Sequence, residues 1–359
     1  MSNDECTIMA AGYVPLDIVS YNGRTWHSAG GTAGNVAAIL GFLGWTAYAI
    51  SDVGDDLAGR RIRRDLQSSN VSVRYLRMLK NFESPRVLHD ISETGHIYRF
   101  KCPQCTRSLP MSRPISMSRA AEILETATAP SVFFFDRINA GTLRLAEKFK
   151  AEGSRIFLEP SRDARPEYIS RALAVADVVK VADDRVGAFH TFDASSRKQL
   201  WIITSGFKGA KFRLGNGIWH ESAAYKYPVI DAGGAGDWTS AGLINSFQNI
   251  ETLKLQNIAS ALTWAQALAA VSCGVPGARG LAKRQSAESV IKAAQFLQSK
   301  GEEDSISVKS KEVKIRNVGA PDSTCRCCLQ EWDEKVLGTG KLGESARQAS
   351  SPASVRRDA

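Results

Sequence analysis

The sequence predicts an α/β protein in which a mostly parallel sheet is covered on both faces by helices. Two observations carry this. From residue 118 onward, amphipathic helical stretches alternate with short apolar runs, the rhythm of a parallel sheet with helices on both faces. The length, 359 residues, suits one large α/β domain with additions or two modest domains.

Taken in order, Cys6 to Gly12 is a short apolar run ending in glycine, as a buried first strand does. Tyr13 to Gly30 is polar and aromatic, fitting a strand pair or a loop over a site. Asn35 to Leu43 is small and apolar at helical spacing, Ala47 to Val53 reads as a strand, and Asp55 to Gln67 as a charged amphipathic helix. Val73 to Leu79, Arg86 to Ile91 and His96 to Lys101 are short strands around turns such as Glu93-Thr94-Gly95. Helices over 118–128, 140–152 and 166–174 then alternate with strands over 131–136, 154–159 and 176–181. Gln199 to Ser205 adds a strand, and Lys208–Leu214 with Gly217–Glu221 forms a hairpin through Gly215-Asn216. Helices close the pattern at roughly 235–247, 252–273 and 285–299. Residues 301–337 form a charged extension with a cysteine cluster, and 338–359 read as a disordered tail.

No stretch reaches the roughly 20 apolar residues of a membrane span, and the N-terminus lacks the pattern of a secretory signal. A cytoplasmic location is the expectation. The net charge of +9 comes from scattered basic residues, such as Arg60, Arg61, Arg63 and Arg64 beside Asp55, Asp56 and Asp65. Without an aromatic-plus-basic strand, that charge points to a solvated surface attractive to anionic substrates rather than to nucleic acid.

The most informative segment is Asp231-Ala-Gly-Gly-Ala-Gly-Asp237, which follows an extended stretch and opens an apolar helix. Gly233, Gly234 and Gly236 leave backbone N–H groups bare at the positive end of a helix dipole, where a phosphoryl group is held. Asp237, in the first turn, is placed to accept the proton of an attacking hydroxyl. By itself the segment equally fits a glycine-rich helix start with an ordinary N-terminal carboxylate.

A second segment, Ser28-Ala-Gly30-Gly31-Thr-Ala-Gly34-Asn35 followed by Gly41, Gly44 and Val53-Gly54-Asp55, joins the first in a known order. Together with Gly234-Ala235-Gly236-Asp237 it resembles the two signatures of the ribokinase-like carbohydrate kinase family. Thr204-Ser-Gly206-Phe-Lys-Gly209 resembles that family's nucleotide loop, and Asp17, five residues after Gly12, its first-strand aspartate. The likeness covers roughly residues 6–299. It implies a three-layer α/β/α sandwich, ribokinase-like, as a kinase domain over 1–300, with a small β lid from segments near 13–30 and 84–115. It further implies Asp237 as catalytic base and the Gly234, Ala235 and Gly236 amides as anion hole. Asp17, Gly31 and Asn35 would orient the acceptor, and Thr204, Gly206 and Gly209 would line ATP, whose phosphates carry Mg²⁺. The acceptor would be a sugar, a nucleoside or a related small polyhydroxy compound. No Walker-type P-loop is present. A homodimer through exposed lid strands would cover their edges.

The chain departs from the family's pattern after strand 176–181. The usual asparagine and glutamate, three residues apart, are Ala182 and Arg185 here, with Asp183 and Asp184 as the neighbouring carboxylates. This leaves a second reading open, a non-catalytic ligand-binding or regulatory protein on the same scaffold. Trp238 walls the acceptor pocket or packs in the core. Asp136-Arg137 and Glu159 end two strands and read equally as pocket charges or surface ion pairs.

Seven cysteines, an odd number, do not suit a secreted disulfide framework. Cys102 and Cys105 form one C-x₂-C pair, and Cys325 and Cys328 another, with Cys327 as an alternative ligand. Four such thiolates would hold a structural Zn²⁺ tying the extension to the core. Cys6 and Cys273 read as buried core thiols.

Overall fold

Alternate residues along the apolar runs point to opposite faces of a sheet, and each face here finds its own helical cover. The computed structural model describes residues 6–92, 95–161, 165–188, 198–248 and 252–300. Its first part runs β1 (Thr7–Ala11), β2 (Leu16–Tyr21), β3 (Arg24–Ala29), α1 (Thr32–Phe42), β4 (Thr46–Gly54) and α2 (Leu57–Ser68). Four short strands follow: β5 (Val71–Ser72), β6 (Leu76–Leu79), β7 (Arg86–Ser92) and β8 (Gly95–Arg99). The regular alternation comes next, as α3 (Met117–Leu124), β9 (Val132–Phe135), α4 (Ala140–Ala151), β10 (Arg155–Leu158), α5 (Pro166–Val175) and β11 (Val178–Ala182). The remainder is β12 (Leu200–Thr204), β13 (Ala210–Leu214), β14 (His220–Ser222), α6 (Ala235–Ser246), α7 (Leu255–Cys273) and α8 (Ala287–Lys300).

The central sheet has the order β14-β13-β12-β11-β10-β9-β1-β4-β5, with β6 also paired to β4. All its pairings are parallel except those of β13, which runs antiparallel to both β12 and β14. Ala10, Phe134, Phe157 and Val178 pack with α1, α6, α7 and α8 on one face. Ala11, Phe133, Phe135 and Val179 pack with α3, α4 and α5 on the other. The expected three layers are therefore present. A second sheet, β3-β2-β7-β8, forms the lid. Among the described residues, no helix is long and apolar enough to cross a membrane.

Some boundaries differ from the sequence expectation. The strand expected over 73–79 begins only at Leu76, as β6, because the Leu76 amide turns back to Val73 O (3.1 Å), and the short β5 precedes that turn. The helix expected to reach 128 ends at Leu124, where the Thr126 and Ala127 amides both turn back to Ile123 O (3.1 and 2.9 Å). The second hairpin arm begins at His220, since Gly217 N–H closes a turn on Leu214 O (3.1 Å) and leaves 217–219 outside the ladder. The knuckle Cys102–Cys105 is a tight turn in which Thr106 N–H donates to Cys102 O (2.9 Å). Cys102 is buried in the core and Cys105 is exposed. Cys325, Cys327 and Cys328, like the whole of 301–359, lie outside the described residues.

Candidate active site

The glycine turn is fixed by its leading carboxylate. Asp231 is buried and accepts the Gly233 amide on Oδ1 and the Gly277 amide on Oδ2, each at 2.8 Å. That clamps the turn to the segment after α7. Gly234 caps α6 at φ +85°, and a Cβ there would lie 2.5 Å from Ala278 Cβ, so only glycine fits. The amides of Gly234, Gly236 and Asp237 make no hydrogen bond among the described residues, whereas the Ala235 amide donates to Ala232 O (3.2 Å). Three unpaired donors thus stand at the positive end of a 12-residue helix. Trp238 lies in the core, its indole N–H donating to Ala278 O (2.9 Å).

Asp237 is buried beside these donors and accepts the Asn35 amide (Nδ2) at 2.7 Å. Its pKa is pushed up to about 7, first by burial and then by the charge of Glu159; the Asn35 hydrogen bond and Lys180 pull the other way. Glu159, at the end of β10, accepts Lys180 Nζ of β11 at 2.6 Å and Ser240 Oγ of α6 at 2.5 Å. All three are buried. A charged pair beneath the turn therefore anchors α6 to the carboxyl ends of two central strands, the edge at which open α/β sheets meet ligands.

The opposite wall comes from the first strand and the lid. Asp136, at the end of β9, accepts the Tyr13 amide (3.0 Å) and is raised by burial. A Cβ on Gly12 would collide with it at 1.6 Å. Asp17 on β2 is buried, and its pKa is pushed up to about 7 by burial, with Arg279 opposing and the Asp237 charge adding. Gly30 makes room for it, since a Cβ there would sit 1.9 Å from Asp17 Oδ2. Gly31 takes φ +72° against Tyr13 O. Arg279 and Lys283 bind Asp65 of α2 and the Ser28 hydroxyl, tying the end of β3 to the segment after α7. From the lid, Tyr98 Oη reaches over the turn, 2.7 Å from where a Gly233 Cβ would be.

Asn35 and Asp237 thus meet directly, and Asp17 lies within electrostatic reach of Asp237. Thr204, Gly206 and Gly209 sit at the carboxyl end of β12, beside β11 in the same sheet edge. Gly206 and Gly209 adopt φ +55° and +94°, and a Gly209 Cβ would strike Ser222 O at 2.2 Å. Gly209 therefore also serves the packing of the hairpin. Glu159 and Asp136, which the sequence leaves open as surface charges, are buried in the site wall. Asp183 and Asp184 are exposed at the exit of β11. Sequence reasoning missed Lys180; the available signal was a lysine inside the otherwise apolar Val178–Ala182, which needs a buried partner.

The profile of the pfkB family carbohydrate kinases matches residues 1–286. The chain belongs to that family. It is 26% identical over 244 residues to a fructokinase of Klebsiella pneumoniae, covering 62% of this chain and 78% of the relative. It is 26% identical over 270 residues to an aminoimidazole riboside kinase of Salmonella typhimurium, covering 69% and 83%. A Vibrio cholerae fructokinase double mutant, solved with fructose, ADP and potassium ion, superposes with a TM-score of 0.66 at 19% identity over 82% of this chain and all of that one. At this identity the likeness establishes the fold, a ribokinase-type carbohydrate kinase sandwich with its lid.

Proposed function

We propose that this pfkB-family kinase transfers the γ-phosphoryl group of ATP to a hydroxyl of a sugar, nucleoside or related polyhydroxy compound. The observation that carries the reading is a buried carboxylate, Asp237, poised near neutrality beside three unpaired helix-start amides. A base is most effective with a pKa near the working pH. Asp237 takes the acceptor's proton as its oxygen bonds to the γ-phosphorus, and the β–γ bridging bond breaks toward ADP. The Gly234, Gly236 and Asp237 amides stabilise charge on the moving phosphoryl group, and Ala235 holds the turn's shape. Asp17, Gly31 and Asn35 orient the acceptor hydroxyls. Thr204, Gly206 and Gly209 line the nucleotide. Mg²⁺ bound with ATP would supply charge neutralisation, and the exposed Asp183 and Asp184 are oxygen donors of the type it takes. Relatives act on fructose, aminoimidazole riboside and ribose 1-phosphate by their names, which supports this acceptor class. The same reading extends to a four-thiolate Zn²⁺ tie through Cys102, Cys105, Cys325 and Cys328, and to lid-to-lid pairing of two copies.

The Ala182 and Arg185 replacements favour a second reading, ligand binding without turnover. ATP consumption across a sugar and nucleoside panel separates the two. Wild type turns over at least one acceptor, and Asp237→Asn loses about 10²–10⁴-fold in kcat. Acceptor binding with no ATP consumption in either protein supports the second reading instead.

A further inference from the structure

The lid carries a cluster that phosphoryl transfer does not use. His89 and Tyr98 are cross-strand partners on β7 and β8, and His96 pairs with Ile91. In an antiparallel pair, positions two apart share a face, so His89, His96 and Tyr98 all look toward the glycine turn. There the carboxylate of Asp231 meets them, with Oδ1 3.5 Å from His89 Nε2 and 3.2 Å from His96 Nδ1. One ligand atom from each of the three lies within 4.8 Å of the other two.

We propose that His89 Nε2, His96 Nδ1 and Asp231 Oδ1 form a binding site for a borderline-soft divalent cation such as Zn²⁺. Four features point there. First, the His89 side chain is 1% exposed, and among the described residues its ring nitrogens find no well-directed hydrogen bond, Nε2 having only the 3.5 Å approach to Asp231. A buried polar atom left that way is costly, and coordination would satisfy one of the two. Second, the spacing fits. Tetrahedral zinc with bonds of about 2.0–2.1 Å sets its ligand atoms about 3.4 Å apart, and the two distances to Asp231 bracket that value. Third, two imidazoles with one carboxylate are a donor set for zinc-like ions, whereas Mg²⁺ takes oxygen. Fourth, Asp231 already holds the outer-shell bonds that orient a metal-binding carboxylate, from the Gly233 and Gly277 amides. His89 is fixed further by stacking on Tyr98 at 4.4 Å between ring centroids. Three protein ligands leave a fourth position for water. A bound ion would join lid strands β7 and β8 to the residue that sets the catalytic turn, holding the lid shut over it. The site is distinct from the four-thiolate tie and does not depend on the proposed phosphotransfer.

Metal-stripped full-length protein, kept reduced, is titrated with Co²⁺ and followed by absorption, with Zn²⁺ added afterwards as competitor. The expected result is a tetrahedral d–d component, erased by Zn²⁺, that carries no thiolate-to-cobalt charge-transfer absorption of its own, so cobalt held by a four-thiolate tie is told apart by that absorption. His96 is the least buried ligand, so His96→Gln is the variant least at risk of misfolding. It should weaken binding by at least about 100-fold, given that losing even an outer-shell partner costs 10–100-fold. Cys105→Ser should leave this signal unchanged, and added metal should raise the wild-type Tm but not that of a folded His96→Gln. Equal cobalt affinity in wild type and His96→Gln, bound cobalt showing only thiolate-type absorption, or no binding in the micromolar range each overturn the proposal.

Discussion

Replacing Asn35 with leucine tests whether Asn35 sets the ionisation of the base. The side chains are similar in size, and among the described residues Asn35 Oδ1 has no hydrogen-bond partner to lose. Beside any contact to the acceptor, the variant therefore removes one interaction within the protein, the 2.7 Å bond from Nδ2 to Asp237 Oδ2. A hydrogen bond to a charged group is worth about 1.5–3 kcal/mol, which is about 1–2 pKa units at 1.36 kcal/mol per unit. The bond favours the ionised carboxylate, so its loss moves Asp237 upward from about 7. At pH 7 the ionised fraction then falls from about half to between roughly 10% and 1%. The expected result is a kcat/KM lower by about 5- to 50-fold at pH 7, recovering as the pH rises by about two units. The assay is the pH profile of kcat/KM, whose acid limb reports the free enzyme's base. A uniform loss at every pH, with the acid limb unmoved, refutes the reasoning and leaves Asn35 a contact to the acceptor alone.

Glu159→Gln removes the negative charge that raises Asp237 and leaves Lys180 in place. The acid limb should move to lower pH, while the stranded lysine costs about 3–5 kcal/mol of stability, measured by urea unfolding. Gly234→Ala places a methyl group 2.5 Å from Ala278 Cβ at φ +85°. Backbone strain and overpacking together cost about 2–6 kcal/mol, and turnover should fall even where the variant stays folded.

Much of the scaffold was legible because its strands are buried on both faces. Runs such as Val132–Phe135 and 200–203 have no polar interruption, and set between helical stretches they read as strands covered on both faces. The Gly234–Asp237 turn and Asn35 were legible as well, since glycine at a left-handed helix start leaves a recognisable local trace. Glu159 and Asp136 were not. A carboxylate after an apolar strand reads the same whether it meets solvent or a lysine from the next strand, and only the sheet order settles which. The facing of His89 and His96 toward Asp231 was equally hidden. It depends on the register of β7 with β8 and on the docking of the lid, neither of which is written in any single segment. The hairpin was foreseen but its second arm was placed too early, because hydrophobic Ile218 and Trp219 resemble strand residues while Gly217 closes the turn.

The lysine and glutamate beneath the turn also constrain how this protein can diverge. Either charge left alone in that interior would be a liability, so the two positions are expected to change together. Descendants that give up one should be found to have given up the other, passing through a neutral pair. Along such a lineage the helix bearing Asp237 would also lose the Ser240 hydrogen bond to Glu159 and keep its seat on the sheet through apolar packing, and the base would drift in acidity with each exchange.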